Sequence, residues 1–474
     1  MAEKNNKVIT RFAPSPTGFM HVGGVRTALY AWLWAKKNNG TFILRIEDTD
    51  KGREVEGSIE HIMKSLKWLG INWDQGPDIG GPHASYIQSE RLDSYQKYAK
   101  ILIDKGLAYP DPYTKEELDE FRKKAEVEKR AFLYRDHRPE TFGVWDGTQA
   151  LRFKTPTIKS YTWNDAVRGE LSAGPEALDD FILIKSDGYP TYNFAHIIDD
   201  LNMEVTHVMR ADEFIASTPK FLSLYEALEI TPPVLASMPP ILGDGGNKKL
   251  GKRDGAKDIL DYKEEGYLPE AMVNFLALLG WNPGGEQEIF TEAELIELFD
   301  ISRIQMSGAQ MNLEKLDWMN KEHMKKLSPE VIKENIFANL PTELQNEKLI
   351  QVIFERISKW SDVKTMLDSG EFDFVTKTPE YDKAKLIFKK STQEKTAENL
   401  KTAIAVLTEL DENNFDADSV KIALMAAADK QESRGELLHP VRYALSGLDK
   451  SPDPFIIASI LGKHETISRL QKAI

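Results

Sequence analysis

The spacing of apolar residues in the first fifty positions predicts a strand, a helix and a second strand. Residues 7–12 alternate and carry Val and Ile, a pattern typical of a short buried strand. Residues 22–37 carry Ala, Leu, Trp and Tyr at helical spacing, and residues 38–40 (NNG) are a typical helix C-cap sequence. Residues 41–46 (TFILRI) predict the second strand. A strand, a helix and a strand in this order form a right-handed βαβ unit, so we expect the two strands to be parallel.

Shorter patterns farther along the chain predict the rest of the fold. Strands are expected at residues 150–154, 180–185, 204–209 and 234–242, and helices at residues 115–129, 268–279, 398–410 and 416–429. We assign the strands at 180–185 and 204–209 to the second half of the parallel sheet. From about residue 324 onward almost every segment is helical. The pattern predicts an α/β, Rossmann-like parallel-sheet domain with an inserted α+β domain, followed by an all-α C-terminal region.

Composition narrows the class of protein. A chain of 474 residues is long enough for several domains, and 41% hydrophobic residues suffice for folded cores. The chain has no cysteine, which excludes disulfides, thiol catalysis and cysteine-based zinc sites, and its nine histidines are scattered. We find no secretion signal and no apolar run of membrane length, so we expect a soluble, cytoplasmic protein without a membrane partner. The net charge of −14 argues against coating of nucleic acid by charge alone, but it leaves room for an RNA partner recognised by local basic patches.

The loop after the first predicted strand carries the first candidate chemistry. Residues 13–24 read APSPTGFMHVGG, with His21 at the turn and Gly23 and Gly24 opening the helix. Backbone N–H groups of glycines at a helix start can approach a phosphate or a purine closely, because no Cβ intervenes. Ligands of parallel sheets lie at the carboxyl ends of strands, which places this loop and Glu47 on one rim. The alternative for a Gly-Gly pair alone is a tight turn that serves packing.

A second candidate segment lies more than two hundred residues later. Residues 249–255 read KLGKRDG, so Lys249, Lys252 and Arg253 lie among glycines that permit loop closure. Such a segment suits a loop that folds over a triphosphate. The alternative is a solvated basic loop.

The two segments resemble the HIGH and KMSKS signatures of class I aminoacyl-tRNA synthetases, and longer blocks resemble the bacterial-type glutamyl-tRNA synthetases. The supporting blocks are 11–18 (RFAPSPTG), 44–50 (LRIEDTD), 189–195 (YPTYNFA), 207–210 (HVMR) and 274–281 (NFLALLGW). An ordered set of this length is very improbable by accident. The chain departs from the family pattern at Gly251, where serine is usual, and at Ala211, where glycine is common. Residues 109–113 (YPDPY) lack the cysteines that bind zinc in some relatives, so we expect no zinc.

The resemblance implies ATP-dependent ligation of L-glutamate to tRNA(Glu) through a glutamyl-adenylate, with release of AMP and diphosphate. ATP is then a substrate, and Mg²⁺ is expected on its phosphates. The attacking carboxylate is already ionised at neutral pH, so the first step needs no general base. Two alternatives stay open: an enzyme that also glutamylates tRNA(Gln), and a catalytically weak tRNA-binding paralogue. We expect a monomer.

The resemblance also assigns roles to individual side chains. The implied catalytic residues are His21, Lys249 and Lys252. The residues implied to contact ATP are these three and Gly23, Gly24 and Arg253. The residues implied to contact glutamate are Arg11, Ser15, Glu47, Tyr192, Asn193 and Arg210. In this scheme Arg11 and Arg210 bind the side-chain carboxylate of the substrate, and Glu47 binds its ammonium. We expect no residue to serve as a dedicated metal ligand. Without the resemblance, the alternative interpretation of Arg11 is a partner in a surface ion pair. The alternative interpretation of Arg210 is a partner in an ion pair with the acidic residues that follow it.

The same resemblance divides the chain into functional regions. It implies the first half of the catalytic domain at residues 1–106, an inserted acceptor-end-binding domain at 107–188, and the second half with the KMSKS-like loop at 189–255. A stem-contact helical region follows at 256–323, and an all-helical anticodon-binding region occupies 324–474. Residues 107–188 are locally basic, which suits contact with RNA.

Overall fold

The structure is a computed structural model, and it describes residues 7–243, 246, 248–250 and 257–474. It divides into two compact units, one formed by Met1–Lys263 with Pro269–Leu316 and the other by Glu264–Leu268 with Asp317–Ile474. The strands among these described residues are β1 (Ile9–Phe12), β2 (Thr41–Leu44), β3 (Ala108–Pro110), β4 (Leu151–Phe153), β5 (Tyr161–Asp165), β6 (Gly169–Ala173), β7 (Ile182–Ile184), β8 (His207–Ala211), β9 (Val234–Met238), β10 (Ile241–Leu242) and β11 (Ala309–Gln310).

The α-helices lie in both units. They are α1 (Val22–Lys37), α2 (Ser58–Trp68), α3 (Leu92–Asp104), α4 (Lys115–Val127), α5 (Tyr192–Asn202), α6 (Thr218–Ala227), α7 (Ile259–Glu264), α8 (Pro269–Leu278), α9 (Glu292–Leu298), α10 (Leu313–Met324), α11 (Pro329–Ala338), α12 (Glu347–Arg356), α13 (Ser361–Asp368), α14 (Asp373–Thr376), α15 (Gln393–Thr408), α16 (Ala417–Ala428), α17 (Gly435–Ser446), α18 (Pro454–Leu461) and α19 (Lys463–Ala473). Along the described ranges, no helix is both long and apolar enough to cross a membrane.

The central sheet of the first unit has the strand order β2-β1-β8-β9-β5-β6. Strands β1, β2, β8, β9 and β5 pair in parallel, and β6 is antiparallel to β5. In the first βαβ unit, Ile9 lies opposite Thr41 and Phe12 lies opposite Leu44. The prediction of a parallel, Rossmann-like sheet is therefore confirmed.

Helix α1 connects β1 to β2 and is almost entirely buried, because its Ala, Leu, Tyr and Trp side chains pack on the sheet and on α8. The helix ends at the predicted site, with Asn38 as its C-cap. The next residues return the chain to the sheet through Asn39, at φ 48°, and Gly40. A Cβ on Gly40 would lie 2.2 Å from the carbonyl oxygen of Val8, so the crossing of the two backbones requires glycine.

Two strand predictions are wrong in detail. The strand at 180–185 does not join the central sheet, because β7 pairs with β4 in a separate antiparallel sheet of order β3-β4-β7. The single strand predicted at 234–242 is interrupted at Pro239 and Pro240, which have no N–H to donate to a neighbouring strand. It consists of β9, in the central sheet, and β10, which pairs with β11.

The segment 107–188, predicted as an inserted domain, contributes to two sheets. It supplies β3, β4 and β7 to the antiparallel sheet, and it supplies the β5–β6 hairpin to the edge of the central sheet. The carboxylate of Asp165 fastens the hairpin, because it accepts hydrogen bonds from the backbone N–H and the hydroxyl of Ser237 on β9. The predicted limits of the domains stay a prediction.

The second unit is helical from α11 to α19, as predicted. Its helices surround two apolar clusters, one centred on Ile353 and Val363 and the other on Leu400 and Val441. Polar side chains begin several of these helices; for example, the Asp416 carboxylate accepts from the backbone N–H of Ser419.

Candidate active site

A cleft of about 560 Å³ opens at the carboxyl ends of β1 and β8. Seven of the residues predicted for the site line it: Arg11, Ser15, His21, Gly24, Glu47, Tyr192 and Arg210. Gly23 lies beside the cleft at the start of α1, and Asn193 is half-buried on α5 without lining the cleft. Lys252 and Arg253 lie outside the described residues.

His21 is the N-cap of α1. Its extended backbone turns the chain into the helix, and its Nδ1 accepts a hydrogen bond from the Gly23 N–H at 3.1 Å. Because Nδ1 accepts, a neutral His21 carries its proton on Nε2, which is then a donor. A Cβ on Gly23 would lie 2.9 Å from the imidazole, so this close approach requires glycine. The Gly23 N–H predicted to contact ATP is thus already used by His21.

Described residues at the start of the basic segment and just after it lie beside residues that line the cleft. On one side, Lys249 forms an ion pair with Glu213, which lines the cleft. On the other side, the backbone of Asp258 forms an antiparallel bridge with His21, and the Ile259 N–H donates to the Met20 carbonyl at 3.0 Å. Lys249 and Asp258, which lie on either side of residues 251–256, are therefore both close to the loop that carries His21.

Arg11 lies at the floor of the cleft and is 4% exposed. Its Nε donates to Asp200 Oδ1 at 3.1 Å, and its Nη1 donates to the carbonyl oxygen of Met209 at 3.3 Å. The surface ion pair considered from the sequence is wrong, because the partner of Arg11 is a buried aspartate on α5.

Arg210, near the end of β8, is held by an aromatic platform. Its guanidinium carbon lies 4.7 Å from the ring centroid of Phe221, and its Nη2 donates to Thr218 Oγ1 at 3.3 Å. The acids that follow it, Asp212 and Glu213, form ion pairs with other cations. The local pairing considered from the sequence is therefore wrong, and Arg210 keeps its charge for the cleft.

Glu47 is placed by the backbone after β2. The Arg45 N–H donates to the Phe12 carbonyl and the Glu47 N–H donates to the Pro14 carbonyl, so the segment runs beside the Pro-rich loop. The Glu47 carboxylate is buried and accepts from Arg45 Nη2 at 3.0 Å. Burial raises the pKa of Glu47 above its ordinary value, although the Arg45 and Arg11 cations oppose the shift.

Residues 7–318 match the catalytic domain of class I tRNA synthetases (E and Q), and residues 319–474 match an anticodon binding domain. This chain belongs to the class I tRNA synthetases of the E and Q group. The predicted resemblance and the predicted fold class are confirmed.

The synthetase has relatives along its whole length. Glutamate–tRNA ligase of Clostridium botulinum (strain Eklund 17B / Type B) is 41% identical over 485 residues, which cover 100% of this chain and 99% of the relative. Glutamate–tRNA ligase of Dehalococcoides mccartyi (strain ATCC BAA-2100 / JCM 16839 / KCTC 5957 / BAV1) is 40% identical, covering 99% and 97%. A solved structure of a glutamate tRNA ligase from Elizabethkingia meningosepticum CCUG26117, in complex with its amino acid, aligns with a TM-score of 0.87 at 36% identity and covers 99% of both chains.

One wall of the cleft in the synthetase is aromatic. The Tyr192 ring, at the start of α5, stacks on His196 with centroids 4.6 Å apart. His196 Nδ1 lies 2.7 Å from the Tyr192 carbonyl oxygen and donates to it. Burial, with a smaller effect of the Arg210 cation, lowers the pKa of His196 to about 3, so this imidazole is neutral.

The segment at 109–113 of the synthetase is held by polar contacts. Asp111 Oδ2 accepts from Arg152 Nε at 2.7 Å, and the Tyr109 hydroxyl donates to Asp180 at 2.7 Å. In the described part of the chain, no group of three or more His, Cys, Asp or Glu side chains is arranged to hold a metal ion.

Sequence reasoning missed three charged residues behind the cleft, namely Arg45, Asp199 and Asp200. All three are buried. A signal was available, because Arg45 interrupts an apolar strand sequence and the two aspartates interrupt the apolar face of α5. A charge in such a position must be paired when it is buried.

Proposed function

We propose that this synthetase attaches L-glutamate to the 3′ end of a glutamate tRNA in two steps. In the first, an α-carboxylate oxygen of glutamate bonds to the α-phosphorus of ATP while the bond to the diphosphate breaks. In the second, a ribose hydroxyl of the tRNA bonds to the activated carbonyl carbon and gives up its proton to the departing phosphate or to water, and AMP leaves with the bonding electrons. The observation that carries this proposal is the convergence of two buried arginines, Arg11 and Arg210, and a buried Glu47 on the cleft that His21 lines.

The charges of the cleft complement those of glutamate. Arg11 and Arg210 bind the side-chain carboxylate, and Glu47 binds the ammonium. Ser15 and Tyr192, which line the cleft, add polar contacts, and the contact with Asn193, which does not line it, stays a prediction. A neutral amide in place of the carboxylate brings no negative charge, and it replaces one acceptor oxygen with an NH₂ donor that the arginines cannot pair, which disfavours glutamine. The aromatic platform under Arg210 supports this role, because it fixes the guanidinium without neutralising it.

ATP binds between the two signature segments. Nε2 of His21 donates to a phosphate oxygen, and the Gly24 N–H approaches the nucleotide. Lys249 exchanges its ion pair with Glu213 for the phosphates, and Lys252 and Arg253 are proposed to join it. These donors stabilise the negative charge that develops on the leaving diphosphate.

Mg²⁺ is proposed to enter with ATP, whose phosphate oxygens are the hard ligands that this ion prefers. When bound, it neutralises phosphate charge. The absence of zinc, the monomeric state and the cytoplasmic location stay predictions.

A charging assay tests the proposal. Purified glutamate and glutamine tRNAs are incubated separately with the synthetase, labelled glutamate and ATP. Charging of the glutamate tRNA supports the proposal, and charging of both tRNAs establishes relaxed tRNA specificity. Charging of neither tRNA overturns it in favour of a weak tRNA-binding paralogue. Lys252→Ala should abolish activation while tRNA affinity is kept, and unchanged activity would refute the role of Lys252.

A further inference from the structure

Arg45 is fully buried among three carboxylates. Its Nη2 donates to Glu47 Oε1 at 3.0 Å, and its Nη1 donates to Asp200 Oδ1 at 2.8 Å. Its Nε lies 3.8 Å from Asp199 Oδ2. Arg45 does not line the cleft, so it does not contact a ligand bound there.

Asp200 extends this arrangement to the floor of the cleft. Its Oδ1 accepts from both Arg45 Nη1 and Arg11 Nε. The carboxylate is buried and strongly ionised, since the two guanidinium groups lower the pKa of Asp200 to about 2 despite its burial. One aspartate oxygen therefore orients two arginines, of which Arg11 faces the cleft.

The chain of contacts joins two residues that line the cleft. It passes from the Glu47 carboxylate through Arg45 and Asp200 to the Arg11 guanidinium. Each link is a charge-assisted hydrogen bond, and each side chain is at most 5% exposed. The anion and the cation that face the cleft are thus held at a fixed separation by two residues that do not face it.

We propose that Arg45 and Asp200 are positioning residues that set the spacing between the Glu47 carboxylate and the Arg11 guanidinium, and thereby the fit of the amino-acid substrate. This inference rests on the proposed function, in which these two groups bind the ammonium and the side-chain carboxylate of glutamate. A fixed spacing favours a ligand whose opposite charges match it, because no side-chain freedom is lost on binding.

The same network contains a matched control. Arg91 is also buried, and its Nε donates to Asp199 Oδ1 at 2.6 Å. Its Nη1 donates to the carbonyl oxygens of His83 and Ser85, so it holds a loop rather than Glu47 or Asp200. Arg91→Lys keeps the charge but removes the guanidinium contacts with Asp199 and the loop, while it leaves the contacts that connect Glu47 with Arg11 in place.

The test compares Arg45→Lys, Asp200→Asn and Arg91→Lys with the wild-type synthetase. Lysine keeps the charge of Arg45 but has one nitrogen, which cannot serve Glu47 and Asp200 in the same geometry. The KM values for glutamate and for ATP are measured in tRNA charging. Thermal unfolding is followed with and without ATP. The midpoint and its shift by ATP show whether each variant is folded, and this readout does not depend on the amino-acid site.

We expect Arg45→Lys and Asp200→Asn to raise the KM for glutamate by about 10-fold or more, as loss of one charge-assisted hydrogen bond predicts. The KM for ATP and the shift of the unfolding midpoint by ATP should change less than about twofold. Arg91→Lys should lower the midpoint and leave the KM for glutamate near its wild-type value.

Two outcomes would overturn the inference. In one, the KM for glutamate is unchanged in the Arg45 and Asp200 variants. In the other, ATP and glutamate binding are lost together, either in all three variants or in an Arg45 or Asp200 variant that fails to fold. The network would then have a purely structural role. A wild-type synthetase that charges no tRNA refutes the proposed function instead, so the two failures are distinguishable.

Discussion

The backbone of His21 pairs with the backbone of Asp258, which follows the basic signature segment. The Asp258 side chain is itself held in place. Its Oδ2 lies 2.8 Å from His61 Nε2, and its Oδ1 accepts from the Leu260 N–H at 2.9 Å. His61 Nδ1 accepts from the Met20 N–H, so its neutral form donates from Nε2 to the aspartate. Asp258 thus holds the residues that follow the second signature segment beside His21 of the first.

Asp258→Ala should slow tRNA charging by about 10-fold, because loss of hydrogen bonds worth about 1 kcal/mol each releases this anchor. The rate constant kcat and the KM for ATP are measured in the charging assay. Asp261→Ala is the control, since Asp261 is an exposed carboxylate three residues later, on α7. Equal effects of the two substitutions would contradict the anchoring role.

Arg210→Met should raise the KM for glutamate by at least about 30-fold, because removal of one partner of a buried charge pair costs about 2–5 kcal/mol. The KM for ATP should remain close to that of the wild type. Arg168→Met is the control, because Arg168 pairs with Asp212 near β8 without lining the cleft. The role of Arg210 is wrong if the KM for glutamate does not change.

The buried His196 should make the free energy of unfolding depend on pH in acid. Its folded pKa is about 3 against 6.5 in the unfolded chain, so below 6.5 the unfolded chain binds a proton that the folded protein does not. The free energy of unfolding should fall as the pH falls through this range, by up to ~1.4 kcal/mol per pH unit, and should be insensitive to His196 above it.

Urea unfolding of wild type and His196→Asn at about pH 7 and pH 5.5 measures this slope. Asparagine keeps a donor for the Tyr192 carbonyl but does not titrate. Burial also lowers the pKa of His207, but this residue is present in both proteins, so its contribution to the slope cancels in the comparison. Identical slopes would show that His196 binds protons equally in the folded and unfolded states, which contradicts a lowered pKa in the folded protein.

Polar contacts around Asp111 should make residues 109–113 independent of zinc. Treatment with a chelator, followed by restoration of Mg²⁺, should leave the unfolding midpoint and the charging rate unchanged. Asp111→Ala should instead destabilise the antiparallel sheet by about 3–5 kcal/mol, because it leaves the buried Arg152 cation unpaired. Limited proteolysis of this region reports the loss, and the exposed Asp146→Ala serves as the control. A chelator-sensitive midpoint would contradict the prediction.

The elements with strong local patterns were predictable from the sequence. Helix α1 keeps the helical spacing of apolar residues over four turns and has a clear C-cap, so its predicted limits agree with the structure. Strand β7 was misplaced because a short apolar run specifies a strand but not the sheet to which the strand belongs. The break before β10 was missed although its cause, Pro239-Pro240, is local.

The candidate site was predictable only in part, for a related reason. The predicted residues lie in recognisable sequence blocks, and the parallel topology brings the ends of β1 and β8 together. The contact of Arg45 with Asp200 joins segments 155 positions apart. The spacing of apolar residues in a single sequence does not reveal such a pair, because the contact depends on the packing of α5 against the sheet.

The outer strand β6 has a consequence for association between chains. In the described residues, β6 pairs with β5 on one side and has no strand on the other, so its outer backbone groups are open to a further strand. Its sequence, Gly169-Glu170-Leu171-Ser172-Ala173, carries one charge and three small residues. A strand added here would crowd the exposed Glu170 carboxylate and gain little apolar contact, which protects the central sheet from edge-to-edge aggregation.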